Sequence, residues 1–273
     1  MSLIDANNSL DIFYNLIKDK KCNKYSNNLK VGVDLGTANI VLSVVDEFNN
    51  PVAGASYPAS VVKDGLVVDY IGAVEIVRKL KAEVEDILGT QITYGSTAIP
   101  PGTLSGNVKA IGNVLEAADI EVVSIVDEPT AAAAILEIQD GAVVDVGGGT
   151  TGVSILKDRK VLYTADEPTG GTHMSLVLAG NYKISFEEAE ELKKNAEKEK
   201  ENFLLVRPVV EKMAHIVKRH LQGYPVEKIY VVGGACSFSE FEEVFQKVIG
   251  IETIKPKRPL LVTPLGIAAS CIK

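Results

Sequence analysis

The sequence predicts an α/β protein made of two duplicated lobes around a cleft, and three observations predict it. Strand-like and helix-like patterns alternate along the chain, which is the signature of α/β layering. A stretch recurs: VGVDLGTANIVLSVV at 31–45 aligns with AVVDVGGGTTGVSIL at 142–156, placing Asp34 over Asp145 and Gly36 over Gly148 or its neighbour. The chain has 273 residues, about twice a typical domain. The expected division is a tail at 1–28, a first lobe at 29–140 and a second at 141–273. Facing lobes of this kind leave a cleft with the two glycine turns at its floor.

In the tail, Leu10, Phe13 and Ile17 fall at i, i+3 and i+7 with Ile12 and Leu16 beside them, so 9–18 reads as a short amphipathic helix. The polar run from Lys18 to Lys30 reads as a linker. Such a helix either docks on its own domain or frays, or it serves a partner or cargo. VGVDLGT and IVLSVVD then form a hairpin, with Pro51 to Gly54 ending its second strand. IGAVEIV is strand-like and passes into RKLKAEVEDIL, where Val77, Leu80, Val84, Ile87 and Leu88 keep helical spacing, giving a helix over 73–88 capped by Gly89. A helix over 104–118, the strand VVSIVDEP and a helix over 129–137 follow. From Gly141 the layout of strand, glycine turn, strand, turn and strand returns. The remainder holds a Lys/Glu-rich helix over 185–202, a helix over 208–221, the strand KIYVVGG, and a helix opened by a Ser239/Glu242 capping box.

Composition removes several function classes. With 46% hydrophobic and 23% charged residues the chain is globular rather than disordered or collagenous. Its 28 basic and 36 acidic residues leave a net charge of −8, which argues against nucleic acid as a partner. No apolar run approaches the ~20 residues of a membrane span, and the first 18 residues carry Asp5 and Asp11 in place of a signal-peptide core. Cys22, Cys236 and Cys271 lie far apart without CxxC spacing, so neither a disulfide framework nor a structural zinc is expected, and the setting is cytoplasmic. His215 and His220, at i, i+5, do not share a helical face and make no metal site.

The chemistry concentrates in the repeated turns. An aspartate ending a strand, followed by Leu-Gly-Thr and a second strand, makes a tight turn whose N–H groups can face an anion, and only glycine lets the chain approach a phosphate so closely. The turn recurs from Asp145 to Thr151. Two such hairpins in register can hold one nucleotide from opposite sides. Asp34 and Asp145 would then face a hydrated Mg²⁺, which takes carboxylates directly or through its waters.

DLGTAN and DVGGGTTG resemble the first and second phosphate segments of the actin, sugar-kinase and heat-shock-chaperone ATPases. In the same order, VDEPTAAAA at 126–134 resembles the first connecting helix of the chaperones, VVGGACSFSEF at 231–241 their adenosine segment, and TPLGIAAS at 263–270 their second connecting helix. The resemblance runs from Leu29 to Ser270 and implies the actin-like, ribonuclease-H-like ATPase fold, with ATP and Mg²⁺ in the cleft. More closely, LGTAN, GAVEIVRK, IPPG, DEPTA, VDVGGGTTG, ADEPTGGTH, SLVLAGN, EEAE and EKMAHIVKRH resemble the ethanolamine-utilisation J family. That resemblance implies a chaperone-like accessory of the bacterial microcompartment in which ethanolamine ammonia-lyase works, with that enzyme or another microcompartment protein as partner.

Carried over residue by residue, Asp34, Gly36, Thr37 and Asn39 match the first phosphate turn, and Asp145, Gly147, Gly148, Gly149, Thr150 and Thr151 the second. Glu128 matches the acidic residue beside the nucleotide, where a carboxylate orients the attacking water or a metal-bound one; the alternative is that it caps the helix beginning at Pro129. Gly170, Gly171 and Thr172 match a third phosphate contact, after which the chaperone pattern has an aspartate and this chain has Ser175. Losing that carboxylate implies slow hydrolysis rather than lost binding. Gly233 and Gly234 match the adenosine contact, and Glu190 and Lys193 resemble a ribose-contacting pair of bacterial actins, or else form a surface pair. His173 is a further phosphate candidate, and Cys236 is either near adenine or an inert packing thiol. The lysine that chaperones direct at the γ-phosphate has no counterpart in the short segment 53–72. Two other readings stay open: a nucleotide-insensitive scaffold and a filament-forming bacterial actin relative. A small-molecule kinase is disfavoured by the lack of insertions for a substrate site.

Overall fold

The repeated sequence becomes a repeated sheet. The computed structural model describes residues 3–25 and 28–272; residues 1–2 and 26–27 of the expected tail and linker, and Lys273, lie outside the described residues. The first sheet contains β1 (Lys30–Leu35), β2 (Asn39–Val45), β3 (Pro51–Pro58), β6 (Tyr94–Ile99) and β7 (Glu121–Asp127), in the order β3-β2-β1-β6-β7. The second contains β8 (Gly141–Val146), β9 (Thr151–Lys157), β10 (Lys160–Glu167), β11 (Lys228–Val232) and β12 (Glu252–Ile254), in the order β10-β9-β8-β11-β12. In each sheet three antiparallel strands come first and two parallel strands are added. Parallel neighbours need crossover connections, which α2 (Tyr70–Leu88) and α3 (Ser105–Ala117) supply in the first sheet. In the second they come from α5 (Gly171–Tyr182), α6 (Phe186–Lys193), α7 (Glu199–His220) and α8 (Phe241–Ile249). A two-stranded hairpin, β4 (Val62–Lys63) and β5 (Leu66–Val67), stands apart.

Registers repeat as well. Asp34 pairs with Val41 on β2, and Asp145 pairs with Gly152 on β9, seven residues on in both cases. Because side chains alternate along a strand, Val33 and Leu35 enter one core with Val77, Leu80 and Leu115. Val144 and Val146 enter another with Met174, Val210 and Phe245. Both aspartates point to the opposite, inner faces. Between those faces lie α4 (Glu128–Ile135) and α9 (Pro259–Ala269), packed on Val41, Val45 and Val143 through Ala132, Ala133, Val262 and Leu265. These two helices meet where Gly266 has no room for a Cβ against the carbonyl of Ala131, and α9 lies on β1 where a Cβ on Gly32 would run into the backbone of Ala268. Matched serines hold them: Ser43 Oγ donates to Pro264 O at 2.6 Å, and Ser154 Oγ lies 3.3 Å from Thr130 Oγ1.

Several local expectations change. Residues 51–54 begin a third strand, β3, rather than ending the second. The expected tail helix, α1 (Leu3–Asp19), is docked: Ala6, Leu10, Phe13 and Leu16 are buried, and the Phe13 ring occupies the space a Cβ on Gly54 would need. Its other side reaches the segment before α9, where Arg258 Nε donates to Asp11 at 3.1 Å and Lys257 N to Asn7 Oδ1 at 2.9 Å. Helix α2 starts at Tyr70 because Asp69 accepts from Gly72 N at 2.9 Å. The Lys/Glu-rich helix breaks after Lys193, since Asn195 Oδ1 caps a short 3₁₀ turn at Glu197 N (2.9 Å), and α7 then runs through Pro208. Ser239 does not cap α8; its N–H donates to Glu199 Oε1 at 2.6 Å, while Glu242 pairs with Lys255 at 2.6 Å. Among the described residues no helix is long and apolar enough to cross a membrane, and all three cysteines are free.

Candidate functional site: glycine turns and carboxylates in one cleft

A cavity of about 440 Å³ opens between the inner ends of the two sheets. It is lined by Asp34, Gly36, Thr37 and Asn39 from the turn after β1, and by Asp145, Gly147, Gly148, Gly149 and Thr150 from the turn after β8. Glu128, Gly171, Glu190, Lys193, Gly233 and Gly234 complete the part foreseen from sequence. The turns are tight for stated reasons. Gly147 N donates to Thr150 O at 3.0 Å, and a Cβ on Gly36 would stand 2.7 Å from Asn39 O. The two turns also touch, because a Cβ on Gly148 would lie 3.1 Å from that of Thr37.

Three of the expected phosphate contacts do not reach the cavity wall. Thr151 is fully buried and its hydroxyl donates to Thr169 O at 2.6 Å. A Cβ on Gly170 would lie 2.6 Å from Gly148 O, and Thr172 N donates to the same carbonyl at 2.8 Å. With Gly171 N bonded to Gly147 O at 2.9 Å, the start of α5 braces the second turn from behind. His173 sits with it, Nδ1 facing Gly170 N at 3.5 Å, beside a separate small cavity with Leu176 and Val209. Cys236 is buried, donates to Val232 O at 2.9 Å, and its thiol is pushed well above its ordinary value by burial, so it is a packing residue. His220 binds Glu167 (2.7 Å) and the Tyr163 hydroxyl (2.8 Å) rather than any partner on His215's side.

Glu190 and Lys193 do more than pair on a surface. Lys193 Nζ donates to Glu190 Oε1 at 2.7 Å, Ser175 Oγ at 2.7 Å and Gly171 O at 3.1 Å, tying α6 to the start of α5. Burial lowers its pKa in spite of the Glu190 partner. Ser175 is fully buried in this clasp and hydrogen-bonds Glu190 Oε1, so its position is one of packing, off the cavity wall.

The carboxylates carry the electrostatics. Burial, reinforced by Asp145, pushes Asp34 up to about 7. Burial takes Asp145 up to about 6 against the hydroxyl of Thr263, which donates to its Oδ2. Glu128 is held well above its ordinary value by burial, then by Asp145, Asp34, Asp166 and Asp127. Helix capping is done by its neighbour: Asp127 Oδ1 accepts from Thr130 N at 3.0 Å, leaving the Glu128 side chain free for the cleft. Desolvated carboxylates that crowd one another in this way are costly alone and suit a hard cation. Among the described residues no group of three His, Cys, Asp or Glu is placed to chelate an ion directly.

Sequence reading missed Thr263, Leu260 and Phe238 on the wall, and the turn of the β4–β5 hairpin. Gly65 of that turn lines the cavity, and Asp64 sits over Gly149, where a Cβ would collide with it. Of these, Thr263 and Phe238 carried a signal, as residues of the TPLGIAAS and VVGGACSFSEF motifs.

The chain is 45% identical to the ethanolamine utilization protein EutJ of Escherichia coli (strain K12), over 89% of this chain and 86% of that one. The chain belongs to the EutJ family. A crystal structure of EutJ from Carboxydothermus hydrogenoformans superimposes on this EutJ-family chain with a TM-score of 0.93 at 53% identity, covering 98% of each. A family model described as type IV pilus assembly protein PilM matches residues 107–258. MreB5 of Spiroplasma citri, solved bound to AMPPNP, shares the fold at 18% identity, with a TM-score of 0.69 over 88% of this chain and 95% of that one. The EutJ-family fold is thus the actin-like ATPase fold.

Proposed function

We propose that this chain is an ATP-binding, chaperone-like protein of ethanolamine utilisation, a slow Mg²⁺-dependent ATPase whose cleft closes on nucleotide and reopens after hydrolysis. Its partner on this reading is ethanolamine ammonia-lyase or another microcompartment protein, in the cytoplasm and at the microcompartment. The observation that carries it is the convergence of two matched aspartate-glycine turns on one cavity, with Glu128 between them. Glycine N–H groups of the two turns other than that of Gly147, which bonds within its own turn, would serve the phosphates, as backbone amides do in other anion-binding turns. Gly233 and Gly234, with Leu260 and Phe238, line the same cavity and would take the nucleoside. A bound Mg²⁺ would supply charge neutralisation on the phosphate oxygens. Glu128 would orient the attacking water.

The contacts of Thr37 with Gly148 and of Asp64 with Gly149, each joining one half to the other beside the glycine turns, support a cleft that closes there. Thermal unfolding with and without Mg·ATP tests the reading. A hundredfold excess over Kd stabilises by roughly 2.7 kcal/mol, or about 5 to 10 °C for a chain of this size. A shift that is present in the natural chain and absent in Asp34→Ala supports the reading. The absence of any nucleotide-dependent shift would sink it and leave a nucleotide-insensitive scaffold.

A further inference from the structure

One row of paired residues across the two sheets differs in its charge. In the first sheet the row reads Ser56, Val41, Asp34 on β3, β2 and β1; in the second it reads Asp166, Gly152, Asp145 on β10, β9 and β8. Directly paired residues project to the same face, so Asp166 and Asp145 look onto the cleft side with no side chain between them. Gly152 leaves room for the ring of Pro129, whose Cγ would be 3.1 Å from a Cβ there. That seats the first turn of α4, and Glu128 with it, above the row. Asp166 hydrogen-bonds the side chain of Thr150, a residue of the second glycine turn, and its Oδ1 is buried with no hydrogen-bond partner. A buried carboxylate oxygen left unpaired is costly and calls for a ligand.

We infer that Asp166 is a positioning residue for hydrolysis in this cleft, standing just behind the cavity wall, where one oxygen holds the Thr150 hydroxyl of the second glycine turn and the charge acts on Glu128. The inference rests on the nucleotide reading above. In the step itself the water oxygen bonds to the γ-phosphorus while the bond from that phosphorus to the bridging oxygen of ADP breaks; the water's proton passes to a carboxylate and leaves with the phosphate. Asp166 makes good the carboxylate that Ser175 does not supply, from a strand rather than from α5. Burial pushes Asp166 up to about 6, with Asp145, Glu167 and Asp64 adding to it, which still leaves an ionised, hydrogen-bond-accepting carboxylate near neutral pH.

The test uses the full chain with Asp166→Asn and, as a second variant, Asp166→Ser, which copies Ser56 of the first sheet. Turnover at saturating Mg·ATP, ATP affinity and Tm are measured together. The expected result is turnover down at least tenfold, roughly 1.4 kcal/mol on the barrier, with affinity within about threefold and Tm unchanged or raised. Equal turnover in natural and variant chains overturns the inference, as does a parallel fall in affinity and Tm, which marks a structural role. A natural chain that shifts with Mg·ATP but shows no turnover also overturns it while leaving the binding reading intact. A natural chain that neither binds nor turns over ends both.

Discussion

The two sheets share strand order, register and the serine that holds the neighbouring helix, yet their outer edges and inner faces are finished differently. The first sheet's edge strand β3 is covered by α1, because Gly54, paired with Ser43, admits Phe13. The corresponding β10 residue is Thr164, paired with Ser154, and there Thr164, Val161 and Leu162 are exposed. Helix α9 reaches the first sheet through Gly32 on its central strand, whereas α4 reaches the second through Gly152 on the next strand out. Duplication therefore supplied the matched glycine turns, and glycine placement decided where each helix could approach. The charges became asymmetric with it, Glu128 seated by Pro129 over the second sheet and Asp166 standing within it.

Exchanging residues between the halves should break this comparison to different depths. Gly32→Val gives β1 the residue that Val143 provides on β8, and the side chain would meet the α9 backbone rather than a mobile group. We expect no soluble folded protein, checked by yield and circular dichroism; a folded variant would show that α9 can move off β1. Phe13→Ala empties the seat against Gly54 and should cost about 3 to 5 kcal/mol, read as a fall in Tm or denaturation midpoint. A loss under ~1 kcal/mol would mean that β3 tolerates an open edge as β10 does.

Asp34→Asn separates the two aspartates. Asp34 has a folded value near 7 against an ordinary 3.8, so the native state keeps a proton that the unfolded chain has released between those values. Nucleotide-free stability therefore falls as pH rises from about 4 to 7, at about 1.4 kcal/mol per unit for a single group. The variant should raise Tm at pH 8 by several degrees, flatten that slope and lose the Mg·ATP shift. Asp145→Asn should do less for the pH slope, because Asp145 is pushed only to about 6. Equal slopes in both variants would contradict the difference between the halves. Gly152→Val, copying Val41, should be the mildest for stability, about 1 to 3 kcal/mol for overpacking against Pro129. It should still reduce turnover by moving Glu128, and unchanged turnover would show that α4 need not sit so close.

Local pattern and repetition determined a good deal from sequence alone. Each Asp-x-Gly turn, the seven-residue step from Asp34 to Val41 and from Asp145 to Gly152, and the start of α4 at Asp127-Glu128-Pro129 are set by residues close together in the chain. Their periodicity and turn chemistry are legible without the fold. The break after Lys193, the start of a strand at Pro51 and the docking of α1 were misread or left open, because caps, edge pairing and burial compete with helical spacing and are resolved by distant partners. Only the tertiary structure decided that Asp166 stands in line with Asp145, that Lys193 clasps α5 through Ser175, and that Thr37 and Asp64 close on Gly148 and Gly149. Those neighbours come from separate strands and helices. Their meeting depends on sheet register and on how closely a helix can approach a glycine, which are properties of the packed whole.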